Sequence, residues 1–150
     1  MASNAFTSAG TVVSMSDALP ATEDTAGYEA LSYTAIGEIS DVGELGRQYD
    51  LVTFNPISTR ETVKRKGSYN QGQLTLQMAR YPSDAGQTIL RAAEASDNNY
   101  SFDLELQDGT NLYFQGQVMG YKTTVGNTNQ ITMATAVVEI TTDIVEVAAT

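Results

Sequence analysis

The sequence predicts a mainly β protein, an antiparallel β-sandwich or open barrel with one flanking α-helix, and three observations carry that prediction. From Gln73 to Arg80 the chain alternates, Leu74, Leu76 and Met78 on one face and Gln73, Thr75 and Gln77 on the other, the period-two pattern of a half-buried strand. Tyr100, Phe102, Leu104 and Leu106 alternate in the same way with Ser101, Asp103, Glu105 and Gln107, and Asp108-Gly109 then supplies a hairpin turn into Leu112-Tyr113-Phe114. Only one stretch has helical spacing: Ile89, Leu90 and Ala93 share a face over about 84–95, with Ser83 or Asp84 as N-cap and Pro82 outside it. About six strands joined by hairpins, with a single helix, fit this architecture.

Taken in order, the first 27 residues are rich in Ala, Ser, Thr and Gly, with a brief Thr11-Val12-Val13 run before Leu19-Pro20. They read as an N-terminal arm over 1–27 that orders against something else, leaving 28–150 as the domain proper. Tyr28, Tyr33, Thr34, Ile36 and Ile39 predict a first long strand. Residues 40–71 then mix Gly, Asp, Arg, Asn and Pro around one apolar island, Leu51-Val52-Thr53-Phe54. A structureless loop of that length is unusual in a compact domain, so it reads as a long functional excursion containing a short strand near 50–54. Gly116 and Gly120 predict a bulge or bend, Gly126-Asn127-Thr128-Asn129 a turn, and the Thr-, Val- and Ile-rich segment 130–147 one long or two broken strands.

At 150 residues the chain fits one domain, which should bury roughly 70% of the surface its unfolded form exposes. The formal charge of -10 is uneven: 1–29 holds four acidic side chains and no basic one, 92–150 has Lys122 as its sole cation, and the other cations lie between Arg47 and Arg91. An acidic body repels phosphate, which argues against tight nucleic-acid binding. Lys64-Arg65-Lys66 beside Tyr69 is too small a patch to reverse that. With no Cys and no His, disulfides, thiolate metal sites and every Ser-His-Asp or Cys-His arrangement are excluded. Asp103 with Glu105 reads as a solvated strand face rather than a catalytic pair, and Glu38, Asp41 and Glu44 as an exposed turn rather than a calcium loop. No catalytic residue, metal ligand or cofactor site is therefore expected. No apolar run approaches the roughly 20 residues that span a bilayer, so a soluble, cytoplasmically made protein is expected.

One ordered series of segments carries a family resemblance. It runs from Ile36-Gly37-Glu38-Ile39-Ser40-Asp41-Val42-Gly43 through the loop with Lys64-Arg65-Lys66-Gly67-Ser68 to Gly72-Gln73-Leu74-Thr75-Leu76. The break at Pro82-Ser83, Asp84-Ala85-Gly86-Gln87 and the closing run Glu139-Ile140-Thr141-Thr142-Asp143-Ile144-Val145 complete it. From about Tyr28 to about Val145 the chain resembles the major tail tube proteins of long-tailed, non-contractile bacteriophages.

The resemblance implies a structural subunit of the virion tail rather than an enzyme. Six copies would complete a ring barrel with their strands, and rings would stack into a channel through which DNA passes without specific binding. It also implies tape-measure, tail terminator and tail tip proteins as partners beside the chain itself. The 40–71 excursion would stack ring on ring through Arg47, Leu51, Phe54, Arg60, Lys64, Arg65 and Lys66, while Asp103 and Glu105, opposite the apolar face of their strand, are the expected lumen residues. Two alternatives compete: the tube subunit of a contractile tail or type VI secretion system, and a carbohydrate-binding β-sandwich displaying Tyr33, Tyr49, Tyr69 and Tyr113.

Overall fold

A computed structural model describes residues 5–148. In chain order the elements are β1 (Val12–Ser16), α1 (Thr25–Glu29), β2 (Thr34–Ala35), β3 (Ile39–Asp41), β4 (Gln48–Phe54), β5 (Val63–Asn70), β6 (Gln73–Ala79), α2 (Ala85–Glu94), β7 (Tyr100–Glu105), β8 (Asn111–Thr124), β9 (Met133–Ile140) and β10 (Val145–Val147). One curled antiparallel sheet has the order β2-β1-β7-β8-β9-β6-β3, with β10 added to β8, and β4 and β5 form a separate two-stranded hairpin. The expected mainly β architecture with one substantial helix is the one observed.

The curl follows from the long strand β8. Its first half pairs with β7, Phe114 opposite Phe102, and its second half pairs with β9, Val118 opposite Val138. A register shift between Val118 and Gly120 leaves one residue unpaired and bends the strand at the place where its glycines predict a bulge. Inside the curl, Leu74, Leu76, Met78, Phe102, Phe114, Ala134, Ala136 and Val138 are all inaccessible to solvent, and Leu90 and Ala93 of α2 close the core. Phe102 and Phe114 stack at 5.3 Å, a contact worth about 0.5–1.5 kcal/mol beyond the area it buries.

The start of α2 is fixed by the segment before β3. Asp84 is the N-cap: its Oδ2 accepts from Gln87 N at 2.9 Å and from Gly37 N at 3.1 Å. Gln87, fully buried, donates to the carbonyls of Gly37 and Ala79 and accepts from Tyr81 N, so one side chain ties helix, β6 and residue 37 together. A Cβ on Gly86 would collide with the backbone of Ala35 and Ile36, which is why the helix approaches so closely only with glycine there.

Three segments depart from the sequence reading. Residues 12–16, expected within an arm, form β1, which is hydrogen-bonded between β2 and β7 and sends Val13 and Met15 into the core. The single strand expected from Tyr28 to Ile39 is three pieces, because Tyr28 belongs to α1, Gly37 is drawn to Asp84, and Glu38 takes a left-handed φ of 61° that breaks the extended chain. The 40–71 excursion is mostly ordered, with β5 lying where a polar loop was expected and β4 spanning the apolar island. The 130–147 segment is two strands, β9 and β10.

Candidate assembly surfaces

The β4–β5 hairpin stands apart from the sheet and leaves a large apolar area in water. Leu51, Val52 and Phe54 are more than half exposed, and Ile57 at the tip is fully so. Val52 opposite Arg65 and Phe54 opposite Val63 occupy one face, while Leu51 opposite Lys66 and Thr53 opposite Lys64 occupy the other. At its base, Tyr49 and Tyr69 meet at 5.2 Å, the Arg47 guanidinium sits 5.1 Å from the Tyr69 ring, and Lys66 Nζ lies 4.7 Å from the Tyr49 ring. Arg47 also approaches Asp143 at 3.7 Å, the ion pair that joins hairpin to body. These cation–π contacts hold two cations on an apolar platform. Residues 47–71 carry five basic side chains against two acidic ones, leaving three against sixteen for the rest of the chain. Six of the seven expected stacking residues lie on this one protruding, cationic, apolar element, Arg60 in its tip connection, and Arg47 stands at its foot.

A second surface is made by the sheet itself. Across β6, β9 and β8 the outward residues form rows: Gln73, Glu139 and Gln117; Thr75, Val137 and Gly120; Gln77, Thr135 and Lys122. No other described element covers this face. It carries one acid and one base, so it is close to neutral. The β8 flank is open, residues 117–124 pairing only with β9, while on the β6 flank residues 73–76 have no second ladder partner and residues 43–46 run close beside them. Open strand edges present unpaired N–H and C=O groups and recruit further strands. The polar side of 73–77 was legible from alternation, but the partner rows were not, because cross-strand register is a tertiary property.

Asp103 and Glu105 lie elsewhere. Asp103, expected on a solvated face, is half-buried beneath tyrosines, and its Oδ1 is enclosed without a hydrogen-bond partner. Tyr28 stacks on Tyr113 at 5.4 Å, Tyr33 packs on Tyr113 at 6.0 Å, and the Tyr33 hydroxyl donates to the Tyr28 carbonyl at 3.0 Å. Residues 28–33 thus cover the side of β7 that alternation left polar. Burial, and then the charge of Glu105, push the Asp103 carboxyl up to about 6. Burial, and then Asp103, likewise push the Tyr33 and Tyr113 phenols upward. Glu105 at the strand end remains exposed.

A groove of about 620 Å³ opens between the strap 39–45 and the sheet. Leu104, Leu106 and Leu112 form its floor, Val42 and Leu45 its inner wall, and the exposed carboxylates of Asp41 and Glu44 its rim. Among the described residues no group of three acidic side chains is placed to hold a metal ion, and no helix is long and apolar enough to cross a membrane.

No protein-family model matches the sequence, and no curated protein matches it significantly. Solved structures do. A chain of the 6-fold symmetrised baseplate of the anti-feeding prophage superposes with a TM-score of 0.70 at 11% identity, covering 99% of this chain and 98% of that one. A chain from the sheath/tube terminator of the PVC extracellular contractile injection system gives 0.67 at 12% identity, over 99% and 100% of the two chains. A chain from the C6-symmetric tail of an empty gene transfer agent particle gives 0.69 at 7% identity, over 96% and 100%. At such identities the likeness is one of fold, and it extends over essentially the whole chain.

Proposed function

We propose that the chain is a structural subunit of a phage-like tail, six copies forming a ring and rings stacking into a tube through which DNA passes. The observation that carries this reading is a sheet face that no other described element covers, bounded by the open edge 117–124 of β8 and by residues 73–76 of β6, which lack a second ladder partner. Joining the β6 side of one copy to the β8 edge of the next makes a heterologous contact, and closing such contacts into a ring covers the open stretch of β8 in every copy. The 6-fold and C6 assemblies in which similar folds occur support a ring of six. The β4–β5 hairpin then serves as the inter-ring contact. The neutral β6–β9–β8 face lines the lumen in place of Asp103 and Glu105, since Asp103 is covered within its own subunit. Tape-measure, terminator and tip proteins would be the other partners.

The tube of a long, non-contractile tail is the finer reading, resting on the length of the 40–71 element and the Asp84-Ala85-Gly86 helix start. A contractile tube or terminator is the second reading, favoured by the injection-system structures. Electron microscopy and light scattering of the purified chain at tens of micromolar test the shared claim, with rings or tubes of six-fold symmetry expected. A protein that stays monomeric, alone and with preformed tail ends added as initiators, would overturn it. Bare or sheathed tubes in native particles labelled with antibody to this chain separate the two readings.

A further inference from the structure

We infer that the groove beneath the 39–45 strap is the receptor for the β4–β5 tip of a second copy of this chain, an inference that rests on the stacking role proposed for the hairpin. Three observations converge. The tip is apolar and cationic, with Phe54 and the fully exposed Ile57 beside Arg60, Lys64 and Arg65. Lined by leucines and rimmed by Asp41 and Glu44, the groove has the complementary chemistry and, at about 620 Å³, room for two large side chains. A two-stranded hairpin alone is marginal in water, so one that exposes this much apolar surface gains stability from a partner.

Geometry selects a second copy. The groove adjoins the foot of the hairpin, since a smaller cavity lined by Leu45, Arg47, Leu112 and Glu146 continues it there. A strand rises about 3.3 Å per residue, so the tip stands on the order of 20–25 Å beyond the foot. A copy displaced by that length brings its own groove to the tip. The same displacement repeats, because each copy that receives a tip also offers one. Such a head-to-tail contact does not close on itself and builds a filament. The cationic tip also offsets the repulsion between acidic bodies and fixes register by matching charge.

Two experiments test this on the full chain. In the first, D41K/E44K reverses the groove rim, K64E/R65E reverses the tip, and a fourth protein combines both. Each pair alone should lose tubes while keeping its circular dichroism, and the combination should recover them. Normal tubes from D41K/E44K, or no recovery in the combination, overturn the inference. Normal tubes from K64E/R65E overturn the stacking role itself. The second experiment does not depend on charge reversal and exploits the absence of cysteine. I57C/V42C should form, on mild oxidation, a ladder of disulfide-linked chains longer than six, whereas an equal mixture of I57C and V42C single variants should stop at dimers. Assembled tubes that yield no ladder place the tip somewhere else and leave the stacking role standing.

Discussion

At the residue scale, Asp103 is the side chain whose environment differs most from what alternation implies. The pattern Phe102, Asp103, Leu104, Glu105 identifies the buried face of β7 correctly, but it carries no information about what lies on the other side. That side is covered by Tyr28 and Tyr33, residues some seventy positions away that read as members of a strand. The consequence is a carboxyl whose folded pKa, about 6, lies above its ordinary 3.8. A raised carboxylate pKa means that the folded state binds the proton more tightly, so its favourable contribution is complete below pH 3.8 and is lost as pH rises to about 6. The full shift would correspond to about 3 kcal/mol. Half-exposure and solvent screening reduce this to about 1 kcal/mol. Asp103→Asn, uncharged at every pH, should therefore be more stable than the parent by about 1 kcal/mol at pH 8 and equal to it at pH 3.5. Melting curves at intervals across that range check the sign, and a variant less stable at pH 8 would show that the ionised carboxylate has a partner in the folded protein.

At the scale of elements, strands with one buried face were legible and strands defined by pairing were not. β6 and β7 announce themselves through apolar alternation, and α2 through its N-cap and the spacing of Leu90 and Ala93. β5 has no such signal: Lys64, Arg65, Lys66, Gly67 and Ser68 read as a polar loop, and only the register Val52 to Arg65 and Leu51 to Lys66 makes them a strand. β1 is too short and too rich in serine to stand out, although Val13 and Met15 do alternate. The hairpin's independence has a direct test. Gln48 and Asn70 are paired across its base, so a two-residue Asn-Gly hairpin turn can replace residues 49–69. That deletion leaves the core side chains, the Asp84–Gly37 bond and the Arg47–Asp143 pair in place. The shortened protein should keep the far-UV spectrum of a β protein and melt within about 5 °C of the parent, a change on the order of 1 kcal/mol. Under the stacking proposal it should form no structure beyond single rings. An unfolded product would place the hairpin in the subunit's own cooperative unit rather than at an interface.

At the scale of the molecule, charge is segregated: the hairpin is cationic, the body strongly acidic, and the β6–β9–β8 face nearly neutral. For a conduit each part has a distinct consequence. A wall of Gln and Thr offers hydrogen bonds that water exchanges freely, and without a lattice of cations it releases few counterions from DNA, so duplex does not adhere. A strongly acidic wall would repel DNA instead, and the structure locates the acidic excess away from this face. The distinction is testable because a ring multiplies every lining charge by its copy number. Gln73 and Gln77 are exposed and lie at the end of separate rows, beside Glu139 and Thr135. Q73K/Q77K should leave the fold intact, since exposed charges are individually worth at most about 1 kcal/mol. Tubes assembled from it in the presence of short duplex DNA should retain that DNA, with retention falling steeply as salt is raised, whereas parent tubes should retain none. Nuclease treatment then separates lumen from exterior: duplex held inside the tube survives digestion, and duplex held on an outer wall is degraded. Retained DNA that is fully digested would put the β6–β9–β8 face on the outside of the tube, and Q73K/Q77K tubes that retain no DNA would remove this face from the lumen.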